Sequence, residues 1–288
     1  MSSKSIFVLL FVFYLGTLSG QTVTGKVVDS STGEALAYVN IGVTGQPRGT
    51  ITDESGTFAL ETNGLPNEAI IRFSMIGYLA QTFIVQELSD KNEIIVKLES
   101  VPVSLSEVVI RPKKTRKAGM SKCAPGPTCG WGGGLPGTGH ETGLKIELGE
   151  LPVLLKSLHV RVHKNSFDGC MMRLHVRNMA DDLPGEELMN QNIIISITKK
   201  SGWTEIDLSK RQLVFQGDIL LSLEWVAVKE TNKNKPVNVP TDGKKLSPAA
   251  VIQFNTSKSH NGTYTKQGSE GQWLLTNERT PSFYLTVM

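Results

Sequence analysis

The sequence predicts an all-β protein built from two β-sandwiches, and three observations carry that reading. Apolar residues recur at every second position through 23–60, and strand signals of the same kind return through 143–287, as strands with one buried face require. Gly, Asp, Asn, Ser and Thr gather between the runs, where tight turns need them. No run keeps a helical period beyond two turns; only Glu186-Glu-Leu-Met189, after Pro184-Gly185, reads as a single helical turn. At 288 residues the chain is long enough for two domains, each with its own core.

Taken in order, the chain opens on Lys4 and an apolar run from Ile6 to Leu15, followed by the small residues Thr17 and Ser19. This is the pattern of a secretory signal peptide over 1–20, cleaved after Ser19 or Gly20. The run is well short of the ~20 residues a spanning helix needs. No cysteine lies near the cleavage point, which argues against a lipid anchor, and nothing later reads as a transmembrane span. The expectation is an exported protein of the periplasm or cell surface.

Residues 21–110 read as the first sandwich. Val23 and Val27, then Ala37, Val39, Ile41 and Val43, then Phe58 and Leu60 supply inward positions, and further strands are expected over 69–76, 81–85 and 93–98. The segment 105–110 closes the domain. Asp53 with Glu54 offers too few oxygens for calcium; Asp53 bonding its own turn ahead of Gly56 is the better assignment. The run Thr24-Gly-Lys-Val-Val-Asp29, the turn Thr32-Gly-Glu-Ala-Leu36, Gly49-Thr50, Thr52-Asp-Glu-Ser-Gly-Thr-Phe58 and Ile76-Gly-Tyr78 together resemble the carboxypeptidase-regulatory-like domain of bacterial cell-envelope proteins. The resemblance covers about the first third of the chain. It implies a transthyretin-like sandwich of seven strands, and an adhesion or accessory role rather than catalysis.

Residues 111–140 read as a linker. Six basic residues from Arg111 to Lys122 precede a stretch dense in Gly and Pro, a composition expected to break regular structure. Gly132, Gly134 and Gly137 formally fit a dinucleotide fingerprint, but the strand before and helix after that it needs are missing from the pattern. Cys123 and Cys129, six positions apart in an exported chain, are expected to close a small disulfide. A metal pair is the competing reading, without a second pair to complete it. Cys170 is expected as a buried thiol.

Residues 141–288 read as a second, jelly-roll-like sandwich, with strands over 143–148, 153–163, 170–177, 192–197, 203–208, 219–226, 250–254, 272–275 and 283–287, and a long surface connection over 228–248.

The sequence offers little chemistry. A net charge of +3 does not argue for nucleic acid. None of the five histidines opens the His-x-x-Glu of a zinc carboxypeptidase, and no metalloprotease, nucleophile-elbow or P-loop motif is present. No catalytic residue, metal or cofactor is therefore expected. One constellation stands out. Alternation sets His159, Arg161 and His163 on one face of the first strand, and Arg173, His175 and Arg177 on one face of the next. If the link 164–169 is a hairpin, all six share one ribbon. That ribbon is either a face for an anionic ligand or a solvated surface neutralised by Glu205, Asp207 or Glu224. Trp203 and Trp273 are candidate sugar-stacking platforms, whereas Trp225 shares a face with Ile219, Leu221 and Leu223 and belongs to the core. The sequence thus points to an exported accessory or binding module whose partners are envelope proteins or glycans. The alternative is a structural spacer without a small ligand.

Overall fold

The computed structural model describes residues 22–90, 94–101, 114–132, 139–229, 251–259, 261–276 and 278–288. The expected signal peptide, the closing segment at 105–110 and nearly all of the 228–248 connection lie outside these residues.

The first sandwich contains β1 (Thr22–Asp29), β2 (Asn40–Val43), β3 (Gly49–Ile51), β4 (Thr57–Glu61), β5 (Ile70–Ser74), β6 (Gln81–Ile84), a short helix α1 (Val85–Ser89) and β7 (Ile94–Leu98). One sheet runs β4-β1-β7 and the other β3-β2-β5-β6, seven strands among the described residues. Alternation works as the sequence requires. Ile41, Val43, Ile71 and Phe73 enter a core with Val27, Phe58, Leu60 and Val96, while Asn40, Gly42, Arg72 and Ser74 face away from it. The Asp53 carboxylate accepts from the backbone N–H of Ser55 at 2.8 Å and of Thr57 at 2.9 Å, the turn role expected of it. Gly56 sits at φ +76°, and a Cβ there would meet the Val27 carbonyl at 2.7 Å, so the turn admits only glycine.

The second sandwich contains β8 (Arg116–Gly119), β9 (Thr128–Gly132), β10 (Glu141–Glu147), β11 (Val153–Asn165), β12 (Gly169–Ala180), β13 (Leu183–Glu187), β14 (Ile194–Ile197), β15 (Gly202–Asp207), β16 (Val214–Phe215), β17 (Asp218–Lys229), β18 (Val251–Lys258), β19 (Thr263–Lys266), β20 (Trp273–Thr276), β21 (Arg279–Pro281) and β22 (Phe283–Val287). One sheet runs β13-β12-β17-β10-β19-β20 with β14 also on β12. The other runs β21-β18-β11-β22-β8, with β15 and β16 on β11 and β9 on β18. Leu144, Leu174 and Trp225 of the first sheet meet Leu158, Phe254 and Phe283 of the second in a common core.

Three expectations are corrected here. The stretch 111–140 is not wholly a linker, because β8 pairs with β22 and β9 with β18 inside the second sandwich. The glycines serve close approach: a Cβ on Gly130 would fall 2.2 Å from the Ile252 carbonyl oxygen. The pair β11 and β12 is not a hairpin, since the link carries the chain from one sheet to the other. His159, Arg161 and His163 therefore lie on a different sheet from Arg173, His175 and Arg177. The segment 183–187, where a helical turn was expected to begin, is strand β13 on the edge of β12.

The cysteines are unpaired. Cys123 is exposed, Cys129 is half-buried against the second core, and Cys170 is fully buried. Pairing of β9 with β18 sets Cys129 opposite Phe254, and burial pushes its thiol up to about 12. The expected disulfide is absent because one cysteine is fixed in a strand and packed against the core while the other stands in solvent. Alkylation of the native protein without reductant should label Cys123 quickly, and Cys129 and Cys170 only after unfolding. A native chain whose Cys123 takes up label only after reduction would restore the disulfide.

Candidate binding cleft between the sandwiches

The outward face of β12 is where the sequence signal and the structure converge. Cys170, Met172, Leu174 and Val176 point into the core, which leaves Arg173, His175 and Arg177 on the opposite face. That face is covered, not solvated: Arg173 is fully buried, and His175 and Arg177 are buried beside it. Register explains the counter-charges. Arg173 lies opposite Glu224 of β17, Glu224 opposite Glu141 of β10, and Glu141 opposite Lys266 of β19. Two glutamates thus face each other across adjacent strands, an arrangement that repels unless cations intervene.

They do intervene. Arg177 donates to both oxygens of Glu141, at 2.6 and 3.1 Å, and Lys266 Nζ stands 2.7 Å from the same carboxylate. Arg173 donates to Glu224 at 2.8 Å and to Asn192 through Nε at 2.8 Å. His175 Nε2 is 2.9 Å from Glu224, and Nδ1 is 2.6 Å from Glu187 of β13. Both ring nitrogens face carboxylate oxygens, which only accept and so favour the imidazolium, while the Arg177 guanidinium 3.0 Å from Nδ1 opposes it. Burial by itself would depress its pKa. Arg177 acts in the same sense, and Glu141 and Glu187 outweigh both and raise it above the ordinary value. Burial likewise opposes ionisation of Glu141, Glu224 and Glu187, and the cations around them, Arg177 and Lys266, Arg173, and His175 respectively, hold all three below the usual carboxylate range.

The first sandwich closes over this network. The Tyr38 carbonyl accepts a hydrogen bond from the Arg173 guanidinium. Tyr38 stands at φ +63°, a left-handed conformation unusual for a residue with a side chain. Arg72 pairs with Glu270 at 2.8 Å, and the Gly45 N–H donates to the Glu270 carbonyl at 3.0 Å. Ile51 packs against Val226 and Ala227. Beside these contacts the sandwiches leave a cleft of about 640 Å³. Asn40, Arg72 and Ser74 line it from the first sandwich, as does the 75–80 connection; the β12–β13 face, Lys266, the 269–271 turn and Trp273 line it from the second.

The remaining candidates fall elsewhere or play other parts. His159 stacks on Tyr284 with ring centres 4.2 Å apart, and Trp203 meets Tyr284 edge-on at 5.2 Å, with the Arg161 guanidinium 5.9 Å from the indole centre. His163 stands 3.4 Å from the Asn255 amide. All of these lie on the other sheet. Trp273 does line the cleft, but Lys266 and Arg177 lie over its ring at 5.1 and 5.4 Å, so cations of the protein itself occupy the indole. Trp225 is fully buried in the core, where its alternation placed it. Sequence reasoning anticipated Glu224 as a counter-charge and missed Glu141, Glu187 and Lys266. The alternation of Glu141-Thr-Gly-Leu-Lys-Ile146 could have flagged the first; the others depend on long-range pairing. Among the described residues no group of three or more His, Cys, Asp or Glu could hold a metal ion, and no helix is long and apolar enough to cross a membrane.

Two outcomes follow from this geometry. Arg173→Met leaves the buried Glu224 with His175 as its remaining partner and should destabilise the protein by about 3 kcal/mol, whereas Arg173→Met with Glu224→Leu should cost less. Equal losses in chemical denaturation would show that the pair is not the cause. The second concerns pH. The raised His175 pKa contributes stability that is complete below the unfolded value of about 6.5 and is lost as pH rises through the folded value. The stability gap between wild type and His175→Gln should therefore be widest in mild acid and narrow above neutrality. Taking that difference removes His140, which burial pushes down to about 4 and which acts in the opposite sense. A gap that widens with pH would contradict an imidazolium here.

No curated protein matches the chain. Residues 23–110 match the family model of the CarboxypepD_reg-like domain, so the first sandwich is similar to that domain.

Proposed function

We propose that the protein is an exported, non-catalytic accessory module of the cell envelope that holds its ligand in the cleft between the two sandwiches. The observation that carries this reading is the cleft itself. Its volume of about 640 Å³ falls within the roughly 300–1,000 Å³ of small-ligand sites, and it joins an apolar wall to fixed polar groups. Export is supported by the apolar run from Ile6 to Leu15 with its small-residue cleavage pattern. A specific observation also favours the spacer reading: hydrogen bonds, an ion pair and apolar packing all cross the junction, as a rigid spacer would need.

The two readings part on one experiment. Ala80 is exposed at the cleft wall, and Ala80→Trp should narrow the cleft without disturbing either core. Wild type and variant are screened against arrays of glycans and peptides. The binding-module reading expects at least one ligand bound by wild type and weakened about tenfold or more in the variant, a change of about 1.4 kcal/mol. Ligands held equally by both would move the site away from the cleft, and a blank array would favour the spacer.

A further inference from the structure

Most cations at the cleft are committed inside the fold. Arg177 and Lys266 grip Glu141, and Arg173 grips Glu224, with little of any of these side chains open to solvent. Arg72 differs. It leaves the outward face of β5 opposite Gly42 of β2 and lines the cleft with its side chain 41 % exposed. A Cβ at Gly42 would fall 2.6 Å from Glu270 Cγ, so glycine there admits Glu270 beside the guanidinium. Among the described residues Arg72 makes one side-chain hydrogen bond, from Nη1 to Glu270 Oε1 at 2.8 Å. That bond fixes one end of the planar group. Nε and Nη2 form the lateral edge of a guanidinium, two parallel N–H groups that match the two oxygens of a carboxylate. Here no bond within the described residues occupies that edge.

What surrounds this fork limits the ligand. Leu79, 53 % exposed, and Ala80 stand open on the wall that continues from β5, with Met75 and Ile76 half-buried beside them. That wall is aliphatic. Trp273, the indole that lines the cleft, has Lys266 and Arg177 over its ring, so a sugar finds no bare aromatic platform there. Glu186, exposed at the rim, and Glu187 and Glu270, which also line the cleft, would repel a second negative charge. A ligand that matches these features carries one carboxylate for the fork and an aliphatic group for the wall.

On the premise that the cleft is the ligand site, we infer that its ligand is an aliphatic monocarboxylate, supplied by the C-terminal end of a peptide or by a free acid of the same chemistry. Its carboxylate accepts from Nε and Nη2 of Arg72, and its aliphatic group lies against Leu79 and Ala80. No internal ion pair has to break, because Glu270 holds a different nitrogen. Discrimination follows from the same atoms. The fork selects a carboxylate over its amide, whose NH2 group would meet an arginine that can only donate. The half-open position of Arg72 makes the pairing sensitive to salt.

Titration calorimetry of the full mature chain tests this with N-acetyl-leucine, its amide, N-acetylglycine, an acetylated tetrapeptide ending in leucine, and oligogalacturonate as a polyanionic sugar. A leucine carboxylate should bind about tenfold or more tighter than the amide, and less tightly at about 0.5 M than at about 0.02 M salt. Preference for the tetrapeptide over N-acetyl-leucine assigns the chain end, and the reverse assigns the free acid; both support the inference. Arg72→Lys keeps a cation beside Glu270 and removes the fork, so it should cost the acid about tenfold and leave the amide where it was. Leu79→Ser should remove the advantage of N-acetyl-leucine over N-acetylglycine, and the melting temperature should hold because the Leu79 side chain is largely exposed. Acid and amide bound alike, an affinity indifferent to Arg72→Lys, oligogalacturonate preferred to every aliphatic acid, or no aliphatic acid bound at all, each overturns the inference. If oligogalacturonate or the amide binds and Ala80→Trp abolishes it, the cleft remains the site and only the aliphatic-carboxylate assignment falls. An aliphatic acid bound equally by wild type and Ala80→Trp removes the cleft as well.

Discussion

The junction depends on a buried set of charges in which no member is tolerable alone. Glu141 and Glu224 lie opposite each other on adjacent strands, fully shielded from water. Either would be protonated, or the strands would separate, without Arg173, Arg177, Lys266 and His175 among them. Three carboxylates, counting Glu187, meet three permanent cations, and the imidazolium adds one positive charge. Such a network is weak evidence for stability in itself, since well-packed apolar residues often serve as well. Its effect is on arrangement. Arg173 reaches Glu224 only with β12 and β17 in this register, and it reaches Tyr38 only with the first sandwich seated on this face.

Much of the fold was legible because a period of two is a local property. The inward sets of β2, β5, β12 and β17 follow from alternation alone, and so does the assignment of Trp225 to the core. The match of the first sandwich to a family pattern rests on turn residues such as Asp53 and Gly56, whose roles are also local. What could not be read was pairing at a distance. The six residues 164–169 have the length of a hairpin turn and instead carry the chain between sheets. Gly130 and Gly119 belong to strands that exist only because β18 and β22, more than a hundred residues later, supply their partners.

The same limit shaped the reading of the site. Alternation correctly separated Arg173, His175 and Arg177 from the core face, and an outward face was equated with solvent. The outer face of a sheet is solvated only when nothing packs on it, and here a second sandwich does. Glu141, Glu187 and Lys266 come from three different strands, so their convergence is a consequence of strand order. Cys129 fails as a disulfide partner for a related reason: its pairing with β18 directs the thiol toward the core, which spacing within the linker cannot express.

A rigid junction and a ligand site are compatible because they use different atoms of the same face. The guanidinium and ammonium groups satisfy internal carboxylates and a backbone carbonyl, which fixes the separation of the sandwiches at one edge. The space left beside that lock is then bounded by groups whose positions are already determined: Asn40 by its place in β2, and Ser269 by the turn whose carbonyl holds Lys266. Ligand affinity in such a cleft gains from the lock, because the entropy of ordering its walls is lost on folding and not on binding. The charges therefore act on recognition through geometry. They hold the walls of the cleft in place.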